Sequence, residues 1–235
     1  MSSANWTVIH RESRRQMLKA FIFDMDGTLL DSEILWVEAV EKHLNDSGFP
    51  LPREEAIDIV YGVSWCDVYA EIRRRFPGFG LGYPQFVSAI GPIFTRLRHR
   101  RDIRIHSSIN LLRKLAREYP VCIVSGSSTD GVNEGIDAMG IRQDIRFFLA
   151  AEDYSPGKPD PTCFVMAAER LEVPPARCLV FEDSRVGVQA AKAAGMHCVA
   201  LSRPDRPVQD VSLADLVLAD LGGFSVDDYL SGAIR

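Results

Sequence analysis

Short apolar runs that do not alternate with polar residues limit this chain most. Residues 18–23 read LKAFIF, 121–124 VCIV, 147–150 FFLA, 178–181 CLVF and 198–201 CVAL. A run without alternation suits a strand covered on both faces, as in a parallel sheet whose crossover helices lie on either side. Helical patterns fall between the runs, over residues 108–118, 130–139 and 185–194, and Asp160 opens another with Pro161 at its first position. Gly140 and Gly195 follow two of these helices as stops. Residues 216–218 add a further short strand. The expected fold class is α/β: a Rossmann-like parallel sheet with helices on both faces, plus an inserted α-helical domain.

The insertion is visible as an interruption. After the first run, Ser32 can cap a helix to about Leu44, with Glu33 in its first turn. Residues 52–98 continue as helix, with breaks expected at Gly62, at Pro77-Gly78 and near Gly91-Pro92. The expected domains are a core of residues 17–33 and 101–235, a helical block of residues 34–100, and a flexible polar, basic tail of residues 1–16. At 235 residues and 46% hydrophobic content, there is apolar material for one large domain and a smaller insertion.

A net charge of −5 argues against a nucleic-acid or membrane-surface partner. The arginine-rich stretch 96–104 (RLRHRRDIR) lacks interleaved aromatics and is read as a solvated linker. No apolar run is long enough to span a bilayer, and residues 1–16 lack the apolar centre of a secretory signal. The five cysteines are scattered and form no CxxC pair, so free thiols are expected rather than disulfides or a zinc site. A cytoplasmic location follows from these readings.

Chemistry gathers at the carboxyl ends of the runs. Asp24-Met25-Asp26-Gly27-Thr28 follows the first, Ser125-Gly126-Ser127 the second, and Glu182-Asp183-Ser184 the fourth, while Lys158 lies in the loop after the third. In a parallel sheet these ends share one rim. Crowded carboxylates there call for a cation, and hard oxygen ligands favour Mg²⁺ over zinc or iron. Phosphoryl transfer needs in-line positioning and neutralised oxygens. Lys158 and the metal can neutralise, while Ser125 and the N–H groups of Gly126 and Ser127 can hold the oxygens. An aspartate is a nucleophile without a base, and a second one two residues on can act as acid and base.

This set of motifs resembles the haloacid dehalogenase superfamily from residue 18 to about 221. The motifs read FDMDGTL (residues 23–29), Ser125, Lys158 in GKPDP, and FEDS (181–184). The insertion resembles the type-1 helical cap of the β-phosphoglucomutase-like and sugar-phosphatase branch. The resemblance implies that Asp24 is the nucleophile that forms an aspartyl-phosphate, Asp26 the general acid/base, and Ser125, Gly126 and Lys158 the phosphoryl ligands. It implies a metal held by the Asp24 carboxylate, the Asp26 carbonyl, Asp183, and Glu182 directly or through water. It also implies a monomer with hinges near residues 31–33 and 103–107.

Within that superfamily, an acid at Asp26 favours phosphate esters over dehalogenation or phosphonate cleavage, since halide leaves without a proton. Lys42 is the one lysine in the block 34–100 that a Schiff-base mechanism could use. Mutases of the branch carry a histidine where this chain has Trp36, an arginine at Trp65 after Gly62-Val63-Ser64, and often a lysine at Ser128. Trp36, Ser64 and Trp65 are the candidate substrate contacts of the cap, with cap core as the equal reading for the tryptophans. The expected activity is Mg²⁺-dependent hydrolysis of a small phosphorylated metabolite, such as a sugar phosphate. A β-phosphoglucomutase-like phosphomutase and a non-catalytic phosphometabolite-binding module are the alternatives.

Overall fold

The computed structural model describes residues 18–234, so the tail expected at residues 1–16 lies outside the described residues. They divide into two compact units, 18–30 with 104–234, and 31–103.

The larger unit is built on six parallel strands: β1 (Ala20–Phe23), β2 (Val121–Val124), β3 (Phe148–Leu149), β4 (Cys178–Glu182), β5 (His197–Leu201) and β6 (Leu216–Leu218). Their order is β3-β2-β1-β4-β5-β6. Every residue of β1, β2 and β4 is buried, which is why these strands, Glu182 apart, are apolar without alternation. Phe21 pairs with Leu179 on one side and Val121 on the other. Phe23 and Phe181 stack with ring centroids 4.5 Å apart. From β1 the chain moves outward to β2 and β3, then returns to β4 on the opposite side. In open parallel sheets ligands bind at such a reversal, which here falls at the carboxyl ends of β1 and β4.

Helices α5 (His106–Ala116), α6 (Thr129–Met139), α7 (Thr162–Leu171) and α8 (Arg185–Ala193) cover the sheet, and α9 (Val226–Ser231) ends the chain. Phe164, Ala167, Ala168, Val188 and Ala191 pack on Ile22, Val124 and Val180. Gly140 ends α6 in the left-handed conformation, at φ 62°, as its position predicts. Pro161 stands one place earlier than expected, at the cap position of α7, while Asp160 accepts the Thr162 N–H at 2.9 Å. Cys122, Cys163, Cys178 and Cys198 are buried free thiols and Cys66 is exposed.

The smaller unit holds α1 (Glu33–Asp46), α2 (Arg53–Val60), α3 (Trp65–Arg75) and α4 (Tyr83–Arg98). They close around Val40, Leu44, Ile59, Val68, Ile72, Phe79, Phe86 and Ile90. Ser32 precedes α1 without making a side-chain cap. The break expected near Gly91-Pro92 does not occur, because α4 runs through both residues. Phe86, Ile90, Phe94 and Leu97 keep one apolar stripe across the proline, whose ring lies on the exposed face. Packing of that stripe outweighs the missing N–H. The start of the arginine stretch is helix rather than linker: Arg96 and Arg98 are in the last turn of α4, Arg98 lies over the Phe94 ring at 5.9 Å, and the residues after it leave the helix. Arg101 bonds Glu38 at 2.6 Å. Among the described residues, no helix is long and apolar enough to cross a membrane.

Proline in a helix interior costs about 3 kcal/mol relative to alanine. Up to about 1 kcal/mol is returned by its stiffening of the unfolded chain. Pro92→Ala is therefore expected to stabilise the protein by about 2 kcal/mol, seen as a higher urea midpoint at unchanged m-value. An unchanged or lower midpoint contradicts this account of α4.

Candidate functional site

Asp24 follows β1 directly and its N–H still bonds the Phe181 carbonyl at 2.9 Å, so the sheet fixes the backbone of the first carboxylate. Its Oδ1 accepts from Lys158 Nζ at 2.6 Å. The same ammonium donates to Glu182 Oε1 at 2.6 Å and to the Val124 carbonyl at 3.4 Å. Glu182, the last residue of β4, is 1% exposed. Its Oε2 accepts the N–H groups of Asp183 and Ser184, both at 2.8 Å, and the Ser184 hydroxyl at 2.9 Å. Asp183 Oδ1 accepts from the Thr28 hydroxyl at 3.2 Å.

Carboxylate oxygens of Asp24, Glu182 and Asp183 lie within 4.8 Å of one another, all three buried. Among the described residues, three clustered carboxylates around one ammonium give this pocket an excess of negative charge. Burial pushes the Asp24 carboxyl well above the usual aspartate range, against the pull of Lys158. Burial acts the other way on Lys158, yet Asp24 and Glu182 outweigh it and hold the ammonium well above its ordinary value. An all-oxygen, charge-deficient donor set of this kind fits a hard divalent cation.

Asp26 is not one of these three, although it is near enough to Asp24 to help raise its carboxyl. Its Oδ2 accepts from the Ser125 hydroxyl at 3.0 Å and the Ser127 hydroxyl at 2.7 Å. Ser125 is fully buried at the end of β2, where its N–H bonds Leu149 and its carbonyl accepts from the Tyr154 hydroxyl at 2.9 Å. Gly126 is exposed on the loop. The structure therefore brings together Asp24, Lys158, Glu182 and Asp183, and joins Asp26 to Ser125.

Two glycines make the close packing possible. Gly27 has φ 89°, and a Cβ there would fall on the Asp183 carboxylate. A Cβ on Gly187 would fall on the Glu182 carboxylate. Sequence reasoning passed over Thr28, the Ser127 hydroxyl, Tyr154, Ser184 and Gly187. Thr28 and Ser184 stood inside the FDMDGTL and FEDS motifs without a role, and Gly187 matters through Glu182 just before it, whereas Ser127 and Tyr154 matter through contacts between distant segments.

In the smaller unit Ser64 caps α3, accepting the Asp67 N–H at 3.3 Å and donating to the Asp67 carboxylate at 2.7 Å. Trp36 stacks on Phe94 at 3.8 Å and meets Trp65 edge-on at 4.9 Å, both tryptophans being part-buried on the core of that unit.

Comparison with known proteins matches the haloacid dehalogenase-like hydrolase family over residues 18–195. The chain is 27% identical to the validoxylamine A 7'-phosphate phosphatase of Streptomyces hygroscopicus subsp. limoneus, covering 87% of this chain and 95% of that protein. It is 28% identical to hexitol phosphatase A of Escherichia coli, covering 92% and 97%. The crystal structure of CbbY from Rhodobacter sphaeroides in complex with phosphate shares the fold, with a TM-score of 0.76 at 24% identity, over 88% of this chain and 96% of that one.

Gly27→Ala places a methyl against Asp183 and forces alanine into left-handed backbone, which alone costs about 1–2 kcal/mol. The expected result is a loss of about 2 kcal/mol or more in urea unfolding, together with loss of cation binding by calorimetry. Wild-type stability and binding would refute the packing argument.

Proposed function

Because the chain belongs to the haloacid dehalogenase-like hydrolase family, we propose that it is a magnesium-dependent phosphatase of a small phosphate monoester, working through an aspartyl-phosphate at Asp24. The observation that carries this reading is the separation of two aspartates only two residues apart. Asp24 lies in the buried cluster with Lys158, Glu182 and Asp183, whereas Asp26 lies outside it on two hydroxyls. One carboxylate is placed for nucleophilic attack and the other for proton transfer.

In this reading Asp24, Asp183 and the Asp26 carbonyl would hold the Mg²⁺, and Glu182, whose oxygens already accept four donors, would contribute its charge from behind them. When bound, the ion would supply the missing positive charge on Asp24 and on the phosphoryl oxygens. Ser125, Gly126 and Lys158 hold the remaining phosphoryl oxygens. An Asp24 oxygen attacks phosphorus as the ester P–O bond breaks, and Asp26 gives its proton to the departing alkoxide. Asp26 then takes a proton from water, whose oxygen attacks the same phosphorus. Inorganic phosphate leaves and the Asp24 carboxylate is restored.

The relatives support hydrolysis rather than isomerisation, and their names suggest a phosphorylated polyol or sugar-like substrate. Trp36 and Trp65 stand where mutases of the branch carry cationic groups. Lys42 is exposed and paired with Asp46 at 2.9 Å, which disfavours a Schiff-base phosphonatase. The block 34–100 is read as the cap domain.

The test is phosphate release from a panel of sugar and polyol phosphates with Mg²⁺ and with EDTA. Metal-dependent release is expected; isomer interconversion without phosphate release would overturn the reading. Asp24→Asn should lower kcat by about 10⁴-fold or more while the fold is kept. Asp26→Asn should lower kcat on alkyl phosphates about 10²–10⁴-fold, and far less on p-nitrophenyl phosphate, whose leaving group needs no proton. An equal loss on both substrates would remove Asp26 from the acid role.

A further inference from the structure

The loop that carries Ser125 runs into α6 within four residues, a span of at most about 14 Å. Helix starts favour anions, because their first N–H groups lack partners within the helix. A substrate held at Ser125 and bearing a second phosphate has this start of α6 within reach along the same loop.

That feature is already occupied from within the chain. Glu152 Oε2 accepts the Thr129 N–H at 2.9 Å and the Thr129 hydroxyl at 3.1 Å. The Ser128 hydroxyl accepts the Gly131 N–H at 3.3 Å. Glu152 is exposed, so it contributes little to the core, yet its position is firmly set. It lies in a 3-10 turn, Ala151–Asp153, whose Ala151 N–H bonds the Ser127 carbonyl at 2.9 Å. Asp153 closes the turn by accepting the Ala150 N–H at 2.8 Å. The turn is thereby tied to the same loop as Ser125.

Charge in the neighbourhood points the same way. Residues 125–135 and 147–157 contain no lysine or arginine but carry Asp130, Glu134, Glu152 and Asp153. Lys158, which directly follows the second segment, is engaged with Asp24 and Glu182. A second phosphate would find no counter-charge on these segments and would face a fixed carboxylate.

We propose that Glu152 is a specificity-determining residue that rejects substrates carrying a second phosphate near the transferred one. The inference rests on the reading of Ser125 and Lys158 as phosphoryl ligands. Rejection is achieved by building repulsion against the competitor rather than attraction for the substrate. A merely structural Glu152 would cap α6, a role that glutamine can also fill through its amide oxygen. The charge is what glutamine removes.

The experiment titrates fructose 1-phosphate and fructose 1,6-bisphosphate into Mg²⁺-loaded Asp24→Asn protein, with and without Glu152→Gln, by calorimetry. Because binding is read rather than turnover, failure here is distinct from failure of wild-type phosphate release. In the Asp24→Asn background the monophosphate should bind more tightly than the bisphosphate. Glu152→Gln should tighten the bisphosphate at least about three-fold and leave the monophosphate unchanged, and the gain should shrink at high ionic strength. The proposal is overturned if both ligands shift equally, if neither shifts, or if the bisphosphate already binds more tightly with Glu152 present.

Discussion

One ammonium between two buried carboxylates organises this site. Lys158 Nζ reaches Asp24 and Glu182 at the same distance, 2.6 Å, with its side chain only 9% exposed. Ions so buried must be paired, and removing one partner from such a pair typically costs about 3–5 kcal/mol. Asp183 adds a carboxylate that the lysine does not reach by hydrogen bond. Three carboxylates so close around one ammonium leave the described site with an excess of negative charge, which is the electrostatic condition for recruiting a cation.

The surroundings are arranged to keep that condition. Glu182 accepts from Lys158 on one oxygen and from three donors of its own loop on the other, so it cannot turn away from the lysine without losing all of them. Gly187 provides the space for that carboxylate and Gly27 the space for Asp183. Both glycines lie at positions where a single methyl would displace a charged group. Tyr154 holds the Ser125 carbonyl, and Ser125 and Ser127 hold Asp26. Each of these charged side chains is held by fixed hydrogen-bond partners, as a preorganised site requires.

Much of the architecture was legible in the sequence, because fully buried strands must be apolar on both faces. The runs at 121–124 and 216–218 agree with β2 and β6, and Glu182 extends the run 178–181 into β4. Gly140 was readable as a helix stop because left-handed backbone selects glycine. The error at Pro92 has the converse cause. Local propensity argues for a break, but the stripe from Phe86 to Leu97 packs on the core of its unit, and packing is not a local property.

For the site, the sequence alone determined which carboxylates, lysine and serine would stand at the strand ends, since a parallel sheet sends all of those ends to one edge. Only the tertiary structure decided how they pair. That Lys158 bridges Asp24 to Glu182, that Asp26 turns instead to Ser125 and Ser127, and that Glu152 reaches the start of α6 all depend on contacts between segments far apart in the chain. Spacing along one chain carries no record of such contacts, because they are fixed by how the strands are ordered and how closely the loops approach.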